Sequence, residues 1–197
     1  FLLDHKVSKE NDDPRMSPEY REMIVDLGLD PGPFAPQIVV AAEDWAIAQQ
    51  LLGSIGVSRD YLVFAPFTTR PQKHWFNERW ALLVGELVDK FDKPVLILGG
   101  PADAPQGEEI VAQCGRAHVY SLCGRTTLGQ SAAIIEHATL LIGVDTGLTH
   151  MGTAFAIPTL ALFGSTCPYR TTASPRTRVL YDAPPCYPCR RQPFCHD

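Results

Sequence analysis

Four short polar blocks, each directly following an apolar run, hold the residue types that could bind and activate an anionic substrate. The first is Thr68-Thr-Arg-Pro-Gln-Lys73, after the run Tyr61–Ala65. Its two hydroxyls, at Thr68 and Thr69, can address a phosphate, and Lys73 can act on it as a point charge. The same residues would also suit a solvated loop. The second block, Gly99-Gly-Pro-Ala-Asp103, closes the run that starts at Pro94. A carboxylate there can accept hydrogen bonds from ribose hydroxyls; Asp103 could equally cap a helix ahead of Pro105. The third is Cys123-Gly-Arg-Thr-Thr127, where Thr127 suits a helix N-cap and Thr126 can line a base pocket. The fourth, Asp145-Thr-Gly147 with His150 close behind, follows Leu140–Val144. Asp145 and Thr146 are good helix starters, and Gly147 permits a tight turn or close approach to a ligand. A helix start offers N–H groups and the positive end of a dipole, which suits phosphate. Asp145 as a plain N-cap, worth about 1 kcal/mol, and His150 as a satisfied helix residue remain the competing readings.

Strands and helices must alternate to present these blocks together. Apolar runs predict strands at Tyr61–Ala65, Pro94–Gly100, Val119–Leu122, Leu140–Val144, Thr159–Gly164 and Arg178–Tyr181. Between them, 3.6-residue periodicity predicts helices over Asn77–Phe91, from about Gln106 to Cys114, over Leu128–His137, and from the Asp145 turn to Ile157-Pro158. The first of these has Trp80, Leu83, Val84, Leu87 and Val88 on its apolar face, and Trp75 reads as an anchor at its start. Strands alternating with helices of this length imply a Rossmann-like, doubly wound parallel α/β sheet. In such a sheet ligands bind outside the carboxyl ends of the strands, where all four blocks fall. An edge bearing hydroxyls, a lysine, a carboxylate and a helix start suits a nucleotide diphosphate. Neither G-x-G-x-x-G nor the Walker lysine motif occurs, so dinucleotide and P-loop readings lack their fingerprints.

Composition narrows the classes. The chain has 197 residues, 45% of them hydrophobic, enough for a core, and a net charge of −5 that argues against a nucleic-acid surface. No apolar run approaches the roughly 20 residues that span a bilayer. There is no signal-peptide pattern. Residues 1–60 hold a helix from Ser17 toward Gly28 and another over Asp44–Leu52, but no complete sheet. They read as the end of an upstream domain and the crossing into a second unit at 61–183, so the chain, which starts at Phe1, is expected to be a piece of a longer protein. Cys114, Cys123 and Cys167 read as small core or near-core residues. The tail, 184–197, has a metal-knuckle spacing at Cys186 and Cys189 with Cys195 nearby, which could hold zinc. A disulfide there is a further possibility, and reduced thiols in a terminal tail are the favoured reading. Nothing demands an oxidising compartment, which makes the cytoplasm the default.

Thr68-Thr-Arg-x-x-Lys-His-Trp75, Gly99-Gly-x-x-Asp103, Val144-Asp-Thr-Gly-Leu-Thr-His150 and Pro158-Thr-x-Ala-Leu-Phe-Gly164 together resemble glycosyltransferase family 9. The Lys-His-Trp form is most similar to its lipopolysaccharide heptosyltransferase I branch. The resemblance runs from near Ser17 to about Thr166. It implies a GT-B fold of two Rossmann-like domains, this chain supplying the C-terminal, donor-binding one. It further implies inverting transfer of heptose from ADP-heptose to a Kdo or heptose residue of the lipid A–Kdo type acceptor. That reaction needs no cofactor or metal and runs peripherally at the cytoplasmic face of the inner membrane. Carried onto these positions, Thr68, Thr69 and Lys73 would meet the pyrophosphate and Asp103 the ribose, where the family often has Glu. Thr126 would lie near adenine, with a residue type unlike the family's. Asp145 would contact the heptose, and Thr146, Gly147 and the helix start would bind phosphate, with His150 beside them. Lys73 and His150 are the catalytic candidates, and the general base would lie in the upstream domain, so this piece is expected to bind donor without turning over. The alternatives are another GT-B nucleotide-sugar enzyme, with a different donor or an epimerase reaction, and a non-catalytic nucleotide-binding or metal-binding module.

Overall fold

In the computed structural model, which describes residues 17–32, 36–164, 172 and 174–182, the alternating pattern becomes one parallel sheet. Its strands are β1 (Leu62–Ala65), β2 (Val95–Ile97), β3 (Val119–Ser121), β4 (Leu140–Val144), β5 (Thr159–Phe163) and β6 (Thr177–Tyr181). Their spatial order is β3-β2-β1-β4-β5-β6, and every neighbouring pair is parallel. The order reverses between β1 and β4, where Leu62 pairs with Val95 on one side and Leu140 on the other. A crevice opens at such a reversal because the connections leave the sheet toward opposite faces.

The period-two alternation of β1 to β4 feeds two cores, one on each face, while Ala161, Phe163, Val179 and Tyr181 of β5 and β6 form a smaller third cluster. Toward one face, Leu62 and Phe64 of β1 and Ile142 and Val144 of β4 join α3 (Asn77–Phe91) and α4 (Ala104–Cys114). Trp80 is fully buried there and meets Phe64 edge to face at 5.7 Å. Toward the other face, Tyr61, Val63, Leu96 and Leu141 pack on α2 (Ala42–Ser54), α5 (Leu128–Glu136) and α6 (Gly147–Ala154). The tyrosine is buried too, and its hydroxyl donates to the Ile134 carbonyl at 2.9 Å. Helix α1 (Ser17–Asp26) precedes these, and α2 sends Ala48 and Leu52 into the second core from ahead of the first strand.

Two glycines set how closely the helices approach the strand ends. A Cβ on Gly143 of β4 would collide with the Thr149 hydroxyl and sit 2.9 Å from both Ala65 Cβ and the Ala65 carbonyl, so only glycine lets α6 seat on β4 beside β1. A Cβ on Gly99 would meet Phe67 Cδ2 at 2.9 Å and Asp103 Cβ at 3.0 Å, which explains the first glycine of the turn after β2. Cys114 and Cys123 are buried in the first core, as expected of small core residues in the α/β pattern, and burial pushes the Cys123 thiol up to about 11. Cys167 and the tail cysteines Cys186, Cys189 and Cys195 lie outside the described residues. Among the described residues, no helix is long and apolar enough to cross a membrane, and no group of three or more His, Cys, Asp or Glu side chains could hold a metal ion.

Candidate functional site

A cleft of about 940 Å³ lies over the carboxyl ends of β1, β2 and β4, within the usual size of small-molecule sites. All four polar blocks reach it. Thr68, Thr69 and Lys73 come from the loop after β1, Asp103 from the turn after β2, Thr126 from the segment before α5, and Asp145, Thr146, Gly147 and His150 from the β4–α6 turn. The Asp145 carboxylate is the centre of its charge network. Lys73 Nζ stands 2.5 Å from Oδ2, and His150 Nε2 donates to Oδ1 at 3.2 Å. The Lys73 and Asp145 side chains are only 19% and 12% exposed, so this pair is less screened than one at the surface. Burial alone pushes the Asp145 carboxyl up. The hydrogen bonds from His150 and Lys73, with their charges, outweigh that and hold it below the ordinary carboxylate range.

The competing helix-cap reading of Asp145 gives way to this arrangement. Thr146, extended at φ −142° and ψ 160°, is the N-cap of α6, and its side chain makes no capping bond. Thr149 and His150 close their N–H groups onto the Thr146 carbonyl, at 3.1 and 3.2 Å. Gly147 and Leu148, at the head of that turn, line the cleft. Gly147 needs no left-handed backbone, and a Cβ added to it meets nothing within 4 Å. Its small size therefore leaves room at the helix start; it does not make the turn possible.

Asp103 serves its own turn first. Its Oδ2 accepts the Gly100 N–H at 2.8 Å and closes the 3₁₀ turn Pro101–Asp103, while it makes no side-chain cap to α4. Thr127 is the N-cap of α5: its hydroxyl accepts the Gln130 N–H at 3.2 Å and Gln130 Oε1 accepts the Thr127 N–H at 3.0 Å. That reciprocal pair frees Thr126 to turn inward, where its hydroxyl bonds that of buried Ser131 at 2.8 Å. Ser131 lines the cleft and reading the sequence missed it; a serine one turn into an apolar helix gives no signal of its own. Trp75 anchors α3 by meeting Trp80 edge to face at 5.1 Å, yet remains 36% exposed and borders an apolar hollow with Leu83, Leu160, Leu162 and Leu180.

Residues 1–195 match the family model described as glycosyltransferase family 9 (heptosyltransferase). Lipopolysaccharide heptosyltransferase 3 of Escherichia coli K12 is 32% identical over 127 residues, covering 64% of this chain and 37% of that protein. Lipopolysaccharide heptosyltransferase 1 of the same strain is 33% identical over 126 residues, covering 64% of this chain and 39% of that protein. The chain thus spans well under half the length of these relatives. Among solved structures, E. coli heptosyltransferase WaaC with ADP-2-deoxy-2-fluoro heptose superimposes with a TM-score of 0.61 at 25% identity, covering 91% of this chain and 52% of that one.

Proposed function

The chain belongs to glycosyltransferase family 9, the heptosyltransferases, and from that premise we propose that its cleft binds the ADP-heptose donor of an inverting transfer to the lipopolysaccharide inner core. Its fold is the Rossmann-like C-terminal domain of a GT-B glycosyltransferase. The observation that carries the proposal is the convergence of Lys73 and the start of α6 on one cleft at the β1–β4 reversal. A lysine and a helix N-terminus together suit a diphosphate. The related WaaC structure, named as a complex with an ADP-heptose analogue, supports the choice of nucleotide and sugar.

In this reading Thr68, Thr69 and Lys73 meet the pyrophosphate from one side, and Thr146, Gly147 and the helix start from the other. Asp103 offers a carboxylate to the ribose, Thr126 lies beside the adenine, Asp145 contacts the heptose, and His150 stands next to the phosphates. Transfer breaks the bond between the anomeric carbon and a phosphate oxygen. The sugar becomes oxocarbenium-like while negative charge grows on the departing ADP. Lys73 and the α6 amides stabilise that charge as preorganised donors. Asp145 is ionised and clasped by two basic side chains, which makes it a weak proton acceptor. We therefore place the base for the acceptor hydroxyl in an upstream acceptor domain and assign its end and the crossing to residues 1–60, of which α2 already packs on the core of the donor unit. Residues 61–183 form the donor unit and 184–197 a tail. The lipid A–Kdo type acceptor and peripheral contact with the cytoplasmic face of the inner membrane are assigned to the upstream domain.

The test is calorimetric titration of the full-length protein with ADP-heptose, ADP and UDP, alongside Lys73→Ala. The adenine nucleotides should bind in preference to UDP. Loss of Lys73 should weaken ADP binding by roughly 2–5 kcal/mol, the scale for truncating one member of a desolvated charge pair. Unchanged affinity in that variant would sink the pyrophosphate assignment.

A further inference from the structure

The loop that carries Thr68, Thr69 and Lys73 has little regular structure of its own: residues 66–76 contain only the 3₁₀ turn Pro71–Lys73. Backbone bonds from Lys73 N–H to the Arg70 carbonyl and from His74 N–H to the Pro71 carbonyl, both 3.0 Å, close that turn but do not reach back to Thr68. One side chain does. His74 Nε2 lies 2.6 Å from the Thr68 carbonyl oxygen and 3.3 Å from the Thr68 nitrogen. The two contacts exclude each other, since Nε2 accepts the Thr68 N–H only when bare and donates to the Thr68 carbonyl only when protonated; we assign the shorter one, because a bare ring nitrogen would face the carbonyl oxygen lone pair to lone pair. The proton is therefore on Nε2 and is donated to the Thr68 carbonyl. The imidazole is half-buried, and its ring is tilted against buried Phe67 at 6.4 Å. It is not among the residues lining the cleft; it lines the adjoining apolar hollow with Trp75 and Leu83, and Lys73 borders both.

We infer that His74 is a positioning residue: by tying the Thr68 carbonyl to the end of the 3₁₀ turn, it holds the Thr68 and Thr69 hydroxyls and the Lys73 ammonium in one diphosphate-binding geometry. It touches no ligand. Its effect is to fix, before the donor arrives, a segment that would otherwise have to order on binding. The inference rests on the donor-site reading above, and Asp145 supplies the other half of the frame by holding Lys73 from the β4 side.

The experiment measures ADP and AMP affinity, by calorimetry on the full-length protein, for wild type, His74→Phe, His74→Gln and His74→Asn. Phenylalanine keeps the ring packing and removes the donor. Glutamine places an amide N–H near the reach of Nε2, and asparagine places one near Nδ1. His74→Phe should bind ADP about tenfold more weakly, the scale of one lost hydrogen bond at a partly buried carbonyl. Its AMP affinity should fall less, since AMP lacks the second phosphate. Glutamine should restore ADP binding to within about twofold of wild type, a difference near the noise of a single hydrogen bond, and asparagine should not. With ADP-heptose as substrate, kcat/KM should fall in the same order, since the loop that binds the diphosphate also carries the lysine that stabilises the departing charge. Equal ADP affinity in His74→Phe and wild type would overturn the inference, as would a parallel loss of ADP and AMP binding with a lowered melting temperature. Absence of ADP binding by the wild-type protein would overturn the donor-site reading and this inference with it.

Discussion

At the scale of single residues, the cleft is governed by one carboxylate with two basic partners. Asp145 holds Lys73 at 2.5 Å and His150 at 3.2 Å, so an arriving diphosphate must share a lysine that is already engaged and must approach a negative charge. Replacing Asp145 with Asn keeps an oxygen acceptor for Lys73 and removes the charge. ADP affinity is then expected to rise about tenfold, or about 1.4 kcal/mol, while turnover of ADP-heptose falls. Calorimetry with ADP beside a steady-state assay would read both, and weaker ADP binding would contradict the shared-lysine picture. The sequence made the residue types readable but not this geometry. Asp145 and Lys73 are 72 positions apart, and a helix-starting Asp-Thr-Gly looks the same whether its carboxylate caps the helix or turns across the cleft. The His74 bond was hidden for a similar reason, since Lys-His-Trp reveals neither the tautomer nor the carbonyl it reaches.

Elements seat the cleft through close approach. Helix α6 comes near enough to β4 that its buried Thr149 fills the place a side chain at position 143 would take. The Thr149 hydroxyl has no hydrogen-bond partner, a cost accepted where the backbones meet. Gly143→Ala should therefore destabilise the fold by about 1–3 kcal/mol through overpacking. It should also weaken ADP binding, because the helix start moves with the helix. A denaturant melt and an ADP titration check this, and a variant as stable as wild type would show that α6 is not tightly seated. Strand positions were readable because runs such as Leu140–Val144 are apolar, too short for a helix and ended by turn residues, which suits a buried parallel strand. Helix α5 was readable from the N-cap Thr127 and the apolar run behind it; the structure adds Gln130, which closes a capping box with that threonine. The attachment of α2 to the second core was less so: its apolar residues repeat helically, but which unit they face is decided by Gly129 and the rest of α5, far along the chain.

For the molecule as a whole, the partly buried Asp145 network links stability to pH. Its carboxyl titrates lower in the folded protein than in an unfolded chain, so between those two values the unfolded state binds more protons. The network's contribution is fully present above the ordinary carboxylate range and is lost as pH falls through the lowered native value. Asp145→Asn should remove this dependence, so the stability gap between wild type and variant should narrow on acidification in paired denaturant melts. Asp89, lowered by its Arg116 partner at 2.8 Å, shifts in the same direction, but both groups are exposed and salt should erase their share.

The reversal of strand order has one more consequence. It makes β1 and β4 the inner pair of the sheet, hydrogen-bonded on both edges and covered on both faces. Amide protons there exchange with solvent only when the whole domain opens, whereas those of short loops exchange through local fluctuations. The diphosphate-binding loop and the Asp145 turn hang directly from these two strands. Each is thus rooted at its start in the slowest-exchanging part of the protein and runs on into a helix, α3 or α6, so donor binding has only the few residues between strand and helix to quieten.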